Sequence, residues 1–209
     1  PARWRAPALH AGAPPPGTVD MVWANMALHM AADPQALLGQ WHRLLAQDGF
    51  LMFSCLGPDT LRQLRGLYQA MGWPEPAHAF TDMHDWGDML VAAGYAEPVM
   101  DMERLTLTYT SPQRLLAELR ELGRNLQPQR FAGLRGRRWH ARLMQALSAM
   151  AGVDAGAAGG QPLALTFEII YGHALKPQPR LPVQGETSLS LDAMRRILQL
   201  GRRDPAQLP

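Results

Sequence analysis

A chain of 209 residues, 47% hydrophobic and 18% charged, has a globular balance and enough length to bury a sizeable core as one domain. A net charge of +2, with Lys176 the sole lysine among 20 Lys and Arg residues, gives no sign of nucleic-acid binding. No apolar run approaches the ~20 residues that span a bilayer, no secretory leader is visible, and the single Cys55 excludes an internal disulfide framework, so a reducing, cytoplasmic setting is expected.

Residues 1–17 are rich in Pro, Ala and Gly without periodicity and read as irregular. Val19–Ala24 reads as a buried strand closed by the polar Asn25. Asp33–Pro34 then supplies an N-cap and a first-turn proline. Leu37, Leu38, Trp41, Leu44 and Leu45 follow at helical spacing, Asp48–Gly49 reads as a turn, and Phe50–Cys55 as a second buried strand. Strand, helix, turn and strand within about forty residues predict a right-handed crossover, hence a parallel pair with a helix on its face.

Gly57–Pro58–Asp59 opens a further helix with Leu61, Leu64, Leu67, Tyr68 and Met71 on one side, ended by a Trp73–Pro76 break. His84–Ala93 reads as a helix stopped by Gly94. Val99–Tyr109 alternates as a strand, Ser111–Pro112 starts a helix, and Arg137–Met150 reads as another. After a Gly/Ala linker over 152–160 comes a final strand, Leu163–Leu175, and then a Pro-rich tail over 177–209 with a short helix expected over Ser190–Leu200.

Some constellations invite chemistry. Arg114, Arg120, Arg124, Arg130, Arg135, Arg137, Arg138 and Arg142 face only Glu118 and Glu121 between Ser111 and Met150, a cationic block. Its plain alternative is a set of solvated helix faces, and it lacks the aromatic interleaving of a nucleic-acid surface. His84 and Asp88 share a helix face, but without third and fourth ligands no metal site is expected. Asp82 fits a helix cap, His173 a core or rim position, and the methionines core filler. Asn25 is the more pointed candidate, because open α/β sheets bind ligands at the carboxyl edge of their strands.

Taken in order, VDMVWANMALHM, WHRLLAQDGFLMFSCLGPDTLRQLR, FTDMHDWGDMLVAAGYAEPVMDMERLTLTY, LRELGRN and LTFEIIYGHALKP resemble the later two-thirds of the malonyl-acyl-carrier-protein O-methyltransferases of biotin synthesis. The resemblance runs from Thr18 to Pro177. It implies the C-terminal part of a Rossmann-like class I methyltransferase fold that uses S-adenosyl-L-methionine (SAM): an α/β architecture with a mostly parallel sheet, an antiparallel last strand, and a helical insert over 111–150 as a lid. The methyltransferase domain is then expected to cover 18–176. Family members carry three strand–helix units before the strand matched by VDMVWAN, about ninety residues at ~30 per unit. Those units hold a Gly-rich loop and an acidic residue for the ribose, and residues 1–17 show neither. This chain is therefore expected to hold half a SAM site and to bind SAM weakly alone.

The activity implied is SAM-dependent methylation of the free carboxylate of a malonyl thioester on acyl carrier protein. Methyl transfer to a carboxylate is an in-line displacement that needs positioning, so no catalytic acid or base is expected. The resemblance places Ala24, Asn25 and Met26 beside the methionine part of SAM, with Leu28 and His29 near the transferred methyl. Arg124, with Asn125, is the expected partner of the malonyl carboxylate, and Arg130 and Tyr109 complete the substrate set. Arg135, Arg137, Arg138 and Arg142 would dock the acidic carrier. Two other readings stand beside this one: a relative of the complex I assembly factors that include a protein-arginine hydroxylase, and a non-catalytic remnant that binds a partner through its cationic helices.

Overall fold

The structure, a computed structural model, describes residues 12–123, 125–131, 133–150, 163–179 and 194. The apolar run VDMVWAN forms strand β1, Val19–Asn25, and a single 3-10 turn, Leu28–Met30, follows it. Helix α1, Pro34–Leu44, starts where the sequence places it: the Asp33 carboxylate accepts the Ala36 amide at 2.8 Å and Pro34 occupies the first turn.

Strand β2 runs over Leu45–Leu56, so the turn expected at Asp48–Gly49 is a bulge inside a longer strand. Burial decides this. Leu45 is fully buried, and the chain leaves α1 directly into the sheet. Asp48 takes a left-handed φ of 62°, and its amide donates to Lys176 O at 3.0 Å, while the Lys176 amide donates to Gly49 O at 2.8 Å. The end of the last strand thus satisfies the bulge.

Gly57–Thr60 does not open a helix but docks on the last strand. The Asp59 amide donates to the Glu168 carboxylate at 2.8 Å, and the Leu61 amide to Thr166 O at 2.7 Å. Only after Leu61, at φ 60°, does α2 begin, Arg62–Ala70. Asp82 caps α3, Met83–Ala92, by accepting the His84 amide at 2.8 Å. Then come β3, Ala96–Tyr109; α4, Pro112–Glu121, capped by Ser111; α5, Arg137–Met150; and β4, Leu163–Leu175. The expected linker over 152–160 and the tail helix over 190–200 lie outside the described residues. Among the described residues no helix is long and apolar enough to cross a membrane.

The strand order is β1-β2-β4-β3. β1 and β2 are parallel, and β4 lies between β2 and β3 antiparallel to both, so three strands run one way and the last opposes them. Leu38 of α1 and Trp86 and Leu90 of α3 pack over Leu51, Phe53, Ile170 and Ala174, forming one core. A buried side chain of this kind contributes roughly 1.5–3 kcal/mol. β4 and β3 also extend past the end of β2, whose last pair is Leu56 with Ile169. On that extension Leu64 of α2, Leu115 of α4 and Leu143 and Leu147 of α5 build a second core with Leu163, Leu165 and Phe167. The insert helices therefore stand beyond the carboxyl edge of β1 and β2, as a lid would.

Candidate active site

The carboxyl edge is built where β1 ends at Asn25 beside the end of β2, which continues two residues further to Leu56. Asn25 pairs in register with Ser54 of β2, and the Ser54 hydroxyl donates to Asn25 Oδ1 at 2.6 Å. The next residue, Met26, takes a left-handed φ of 53° and donates its amide to Ser54 O at 2.9 Å. Backbone strain of this kind is retained where the surroundings over-determine it, commonly at ligand sites. The bonds to Ser54 fix the Asn25 oxygen, and the side chain stays exposed, so its amide NH2 faces outward at the strand end. Ala24 and Leu28 are buried in the first core and hold this corner in place.

A cleft of about 310 Å³ opens beside the corner. Its floor is the 3-10 turn, His29 and Met30, with Leu56 at the end of β2. α2 contributes Leu64 and Tyr68, and α4 and its C-terminal end contribute Leu116, Leu119, Arg120 and Gly123. The segment Pro76–Phe80 forms the remaining wall, held by several donors. Arg65 donates to His78 O at 2.7 Å and to Ala77 O at 3.3 Å, and its guanidinium lies 5.6 Å from the Phe80 ring. Asn125 Nδ2 donates to Pro76 O at 2.7 Å, and Gln127 Nε2 to Ala77 O at 3.3 Å. His78 Nε2 reaches His29 O at 3.1 Å and ties this wall to the floor.

The electrostatics of the cleft are one-sided. Among the described residues its ionisable walls are His29, Tyr68, His78 and Arg120, and no carboxylate lines it. Burial, with His78 as a second cause, lowers the His29 pKa from 6.5 to about 4, so the imidazole is neutral at physiological pH. Burial raises the Tyr68 hydroxyl, opposed by Arg135. Cys55 of β2 is buried in the first core, its thiol pushed up to about 12, which makes it an inert core residue. Apolar walls with donors and no competing acid suit an anionic group held in place, without proton transfer to the protein.

Of the predicted residues, His29 and Asn125 line the cleft, while Asn25 and Met26 sit at the carboxyl edge outside its lining; the cleft adds Arg120, which sequence reasoning counted only within the basic block. Tyr109, expected to meet substrate, is packed in the second core with only 6% exposure and does not line the cleft; the alternation that marks β3 cannot tell which of its faces meets the helices. Arg130 bonds its guanidinium to Asn125 O and supports the wall from behind. Arg124 lies outside the described residues. Arg137 and Arg138 are exposed at the start of α5. Arg135 stacks 4.2 Å from the Trp139 ring and 4.8 Å from Phe131, and Arg142 lies 5.8 Å from Trp73, so aromatic faces orient two of the four arginines expected to meet a carrier. His78 and Arg65 were missed, since both act through backbone carbonyls that leave no sequence pattern.

Residues 5–53 match a family model described as a methyltransferase domain. Over 169 residues the chain is 43% identical to a malonyl-[acyl-carrier protein] O-methyltransferase of Gallionella capsiferriformans, covering 80% of this chain and 56% of that protein. With a protein of the same name from Halorhodospira halophila it shares 36% identity over 196 residues, 90% of this chain and 63% of the other. The chain thus spans a little over half the length of these relatives. The crystal structure of the YcgJ protein from Bacillus subtilis superposes with a TM-score of 0.49 at 16% identity, over 81% of this chain and 68% of that one.

Proposed function

We propose, on the premise that this chain is a relative of the malonyl-[acyl-carrier protein] O-methyltransferases over four-fifths of its length, that it supplies the acceptor side of a SAM-dependent methyltransferase acting on a malonyl thioester in biotin synthesis. The relatives' names favour this reading over the assembly-factor and partner-binding alternatives. The observation that carries it is the carboxylate-free cleft at the carboxyl edge, with Arg120 in its wall and the outward-facing Asn25 amide beside it.

When bound, SAM supplies a sulfonium methyl group. The donor set fits one end of such a group: the Asn25 amide can meet an acceptor oxygen, and the buried Ala24 and Leu28 give that donor a rigid apolar backing. On the acceptor side Arg120 offers a charge-assisted partner for the malonyl carboxylate, with the apolar walls excluding water. Arg124 is the alternative partner. Arg135, Arg137, Arg138 and Arg142 would steer an acidic carrier to the insert, a long-range effect that salt weakens. The protein itself is soluble in the cytoplasm in this reading.

The test compares two changes in the full-length enzyme. Arg120→Ala should raise KM for a small malonyl thioester about ten- to a hundredfold, because a charge-assisted bond in a partly dry site is worth ~1.5–3 kcal/mol, and leave SAM affinity unchanged. The pair Arg137→Ala and Arg138→Ala should weaken only the carrier-bound substrate, and only at low salt. Failure of the wild-type enzyme to methylate a malonyl thioester would overturn the reading. Wild-type kinetics in Arg120→Ala would transfer the carboxylate role to Arg124.

A further inference from the structure

The His29 ring is held in one tautomer by the fold. The backbone amide of Leu56 lies 3.3 Å from His29 Nδ1. An amide N–H can only donate, so Nδ1 must accept, and the proton of the neutral ring sits on Nε2. The ring's orientation is fixed twice more. Phe80 packs edge-on at 5.8 Å between centroids, and the His29 carbonyl accepts from His78 Nε2 at 3.1 Å, which pins the 3-10 turn. Nε2 has no hydrogen-bond partner among the described residues, while the side chain lines the cleft. Nε2–H is therefore a fixed donor at the cleft surface, available to a ligand there.

We infer that His29 is a positioning residue whose neutral Nε2–H donates a hydrogen bond to the acceptor carboxylate in the cleft, orienting one oxygen and leaving the other free to attack. This rests on the methyl-transfer reading above. It departs from a role for His29 on the cofactor side alone. No proton moves in the step: the hydrogen stays on Nε2 throughout. Neutrality is the useful property. Arg120 already supplies the charge that holds the carboxylate, and a second cation at this point would repel a sulfonium donor, whereas an N–H dipole orients one oxygen without that repulsion. The surroundings keep the ring uncharged. Among the described residues, the titratable or charged groups that line the cleft with it are His78 from the Pro76–Phe80 wall, Arg120 from α4 and Tyr68 from α2, with Arg65 behind Phe80, and no carboxylate stands among them to stabilise an imidazolium.

The experiment uses the full-length enzyme and an unreactive malonyl thioether as probe, with nitrogen-detected imidazole NMR and equilibrium binding as readouts. The free protein should show His29 as the Nε2–H tautomer with no titration between about pH 6 and 8. Adding the probe should shift the Nε2 signal and leave Nδ1 in place. His29→Ala should weaken the probe about tenfold with SAM affinity unchanged, and His29→Gln, which keeps a neutral N–H donor, should recover most of it. Probe binding to the wild type with an undisturbed Nε2 signal, an Nδ1–H tautomer, or equal losses in both variants would overturn the inference while sparing the methyltransferase reading. No probe binding to the wild type, with SAM still bound, would overturn both. Should His29→Ala fail to fold, the wild-type tautomer and probe shift decide the matter alone.

Discussion

His29 also links the site to stability. Its pKa falls from 6.5 to about 4 on folding, chiefly through burial, so between those values the unfolded chain binds the proton and the folded one does not. Stability therefore rises with pH across that window: the contribution is complete above about pH 6.5 and lost as the pH falls towards 4. Allowing for the partial exposure of the ring, the loss should amount to roughly 1–3 kcal/mol. Burial lowers His42 in the same sense. His29→Gln, with nothing to protonate, should flatten the pH dependence of urea unfolding in this range relative to wild type. An unchanged slope in that variant would assign the acid sensitivity to His42 and leave His29 uncoupled. At this scale the sequence spoke clearly about Asn25, a polar residue ending an apolar run, and about Asp82 and Ser111, whose capping chemistry is local. It was silent about Arg120 and His78, because a cleft wall is made by segments far apart in the chain, and nothing local in WPEPAHAF says which carbonyl His78 will meet.

At the scale of elements, α5 and β4 begin and end where periodicity and flanking residues put them, and the parallel β1–β2 pair and opposed β4 also follow from pattern and resemblance. The misreadings share a cause. Asp48–Gly49, read as a turn, and Gly57–Asp59, read as a helix start, are each held by β4 or the residue just after it, through Glu168 and Lys176, contacts more than a hundred residues away that no local window contains. β4 is thus the element that organises the edge, and its single glycine shows how closely. Gly172 pairs with Phe53 across the sheet, and a Cβ built there would sit 2.2 Å from the Phe53 ring. The ring occupies the space a side chain would need. Gly172→Ala should therefore destabilise the protein by about 1–3 kcal/mol through overpacking in the first core, measured by thermal or urea unfolding. The same change at Gly66, where nothing lies within 4 Å, should be neutral or slightly stabilising because it sits inside α2. Equal effects at the two glycines would mean that helix propensity, and not the Phe53 contact, decides.

For the molecule as a whole, the two faces of the sheet are unlike. Alternate residues of a strand point to opposite faces, so the row Ala24, Phe53, Gly172 and Met100 looks towards α1 and α3, and the adjoining row Trp23, Met52, His173 and Val99 looks away from them. On that second row Trp23 of β1 is 72% exposed, Met52 of β2 43% and Val99 of β3 64%, three large apolar groups with His173 of β4 between the last two. The row starts on β1, which pairs only with β2 among the described residues and so presents an open edge. Exposed apolar groups beside an unpaired edge make a surface that associates when left bare. The folding energy of this chain does not depend on Trp23, since most of that side chain keeps its water. Trp23→Thr should accordingly change unfolding free energy by no more than about 0.5 kcal/mol, while lowering the binding of a hydrophobic dye and the concentration-dependent mass seen in sedimentation. The wild-type minus variant difference spectrum should show a red-shifted indole emission that aqueous quenchers reach. If Trp23→Thr instead costs more than about 2 kcal/mol, or if the difference spectrum is blue-shifted and protected, the face is covered in the protein in solution, and Trp23 belongs to a third packed layer.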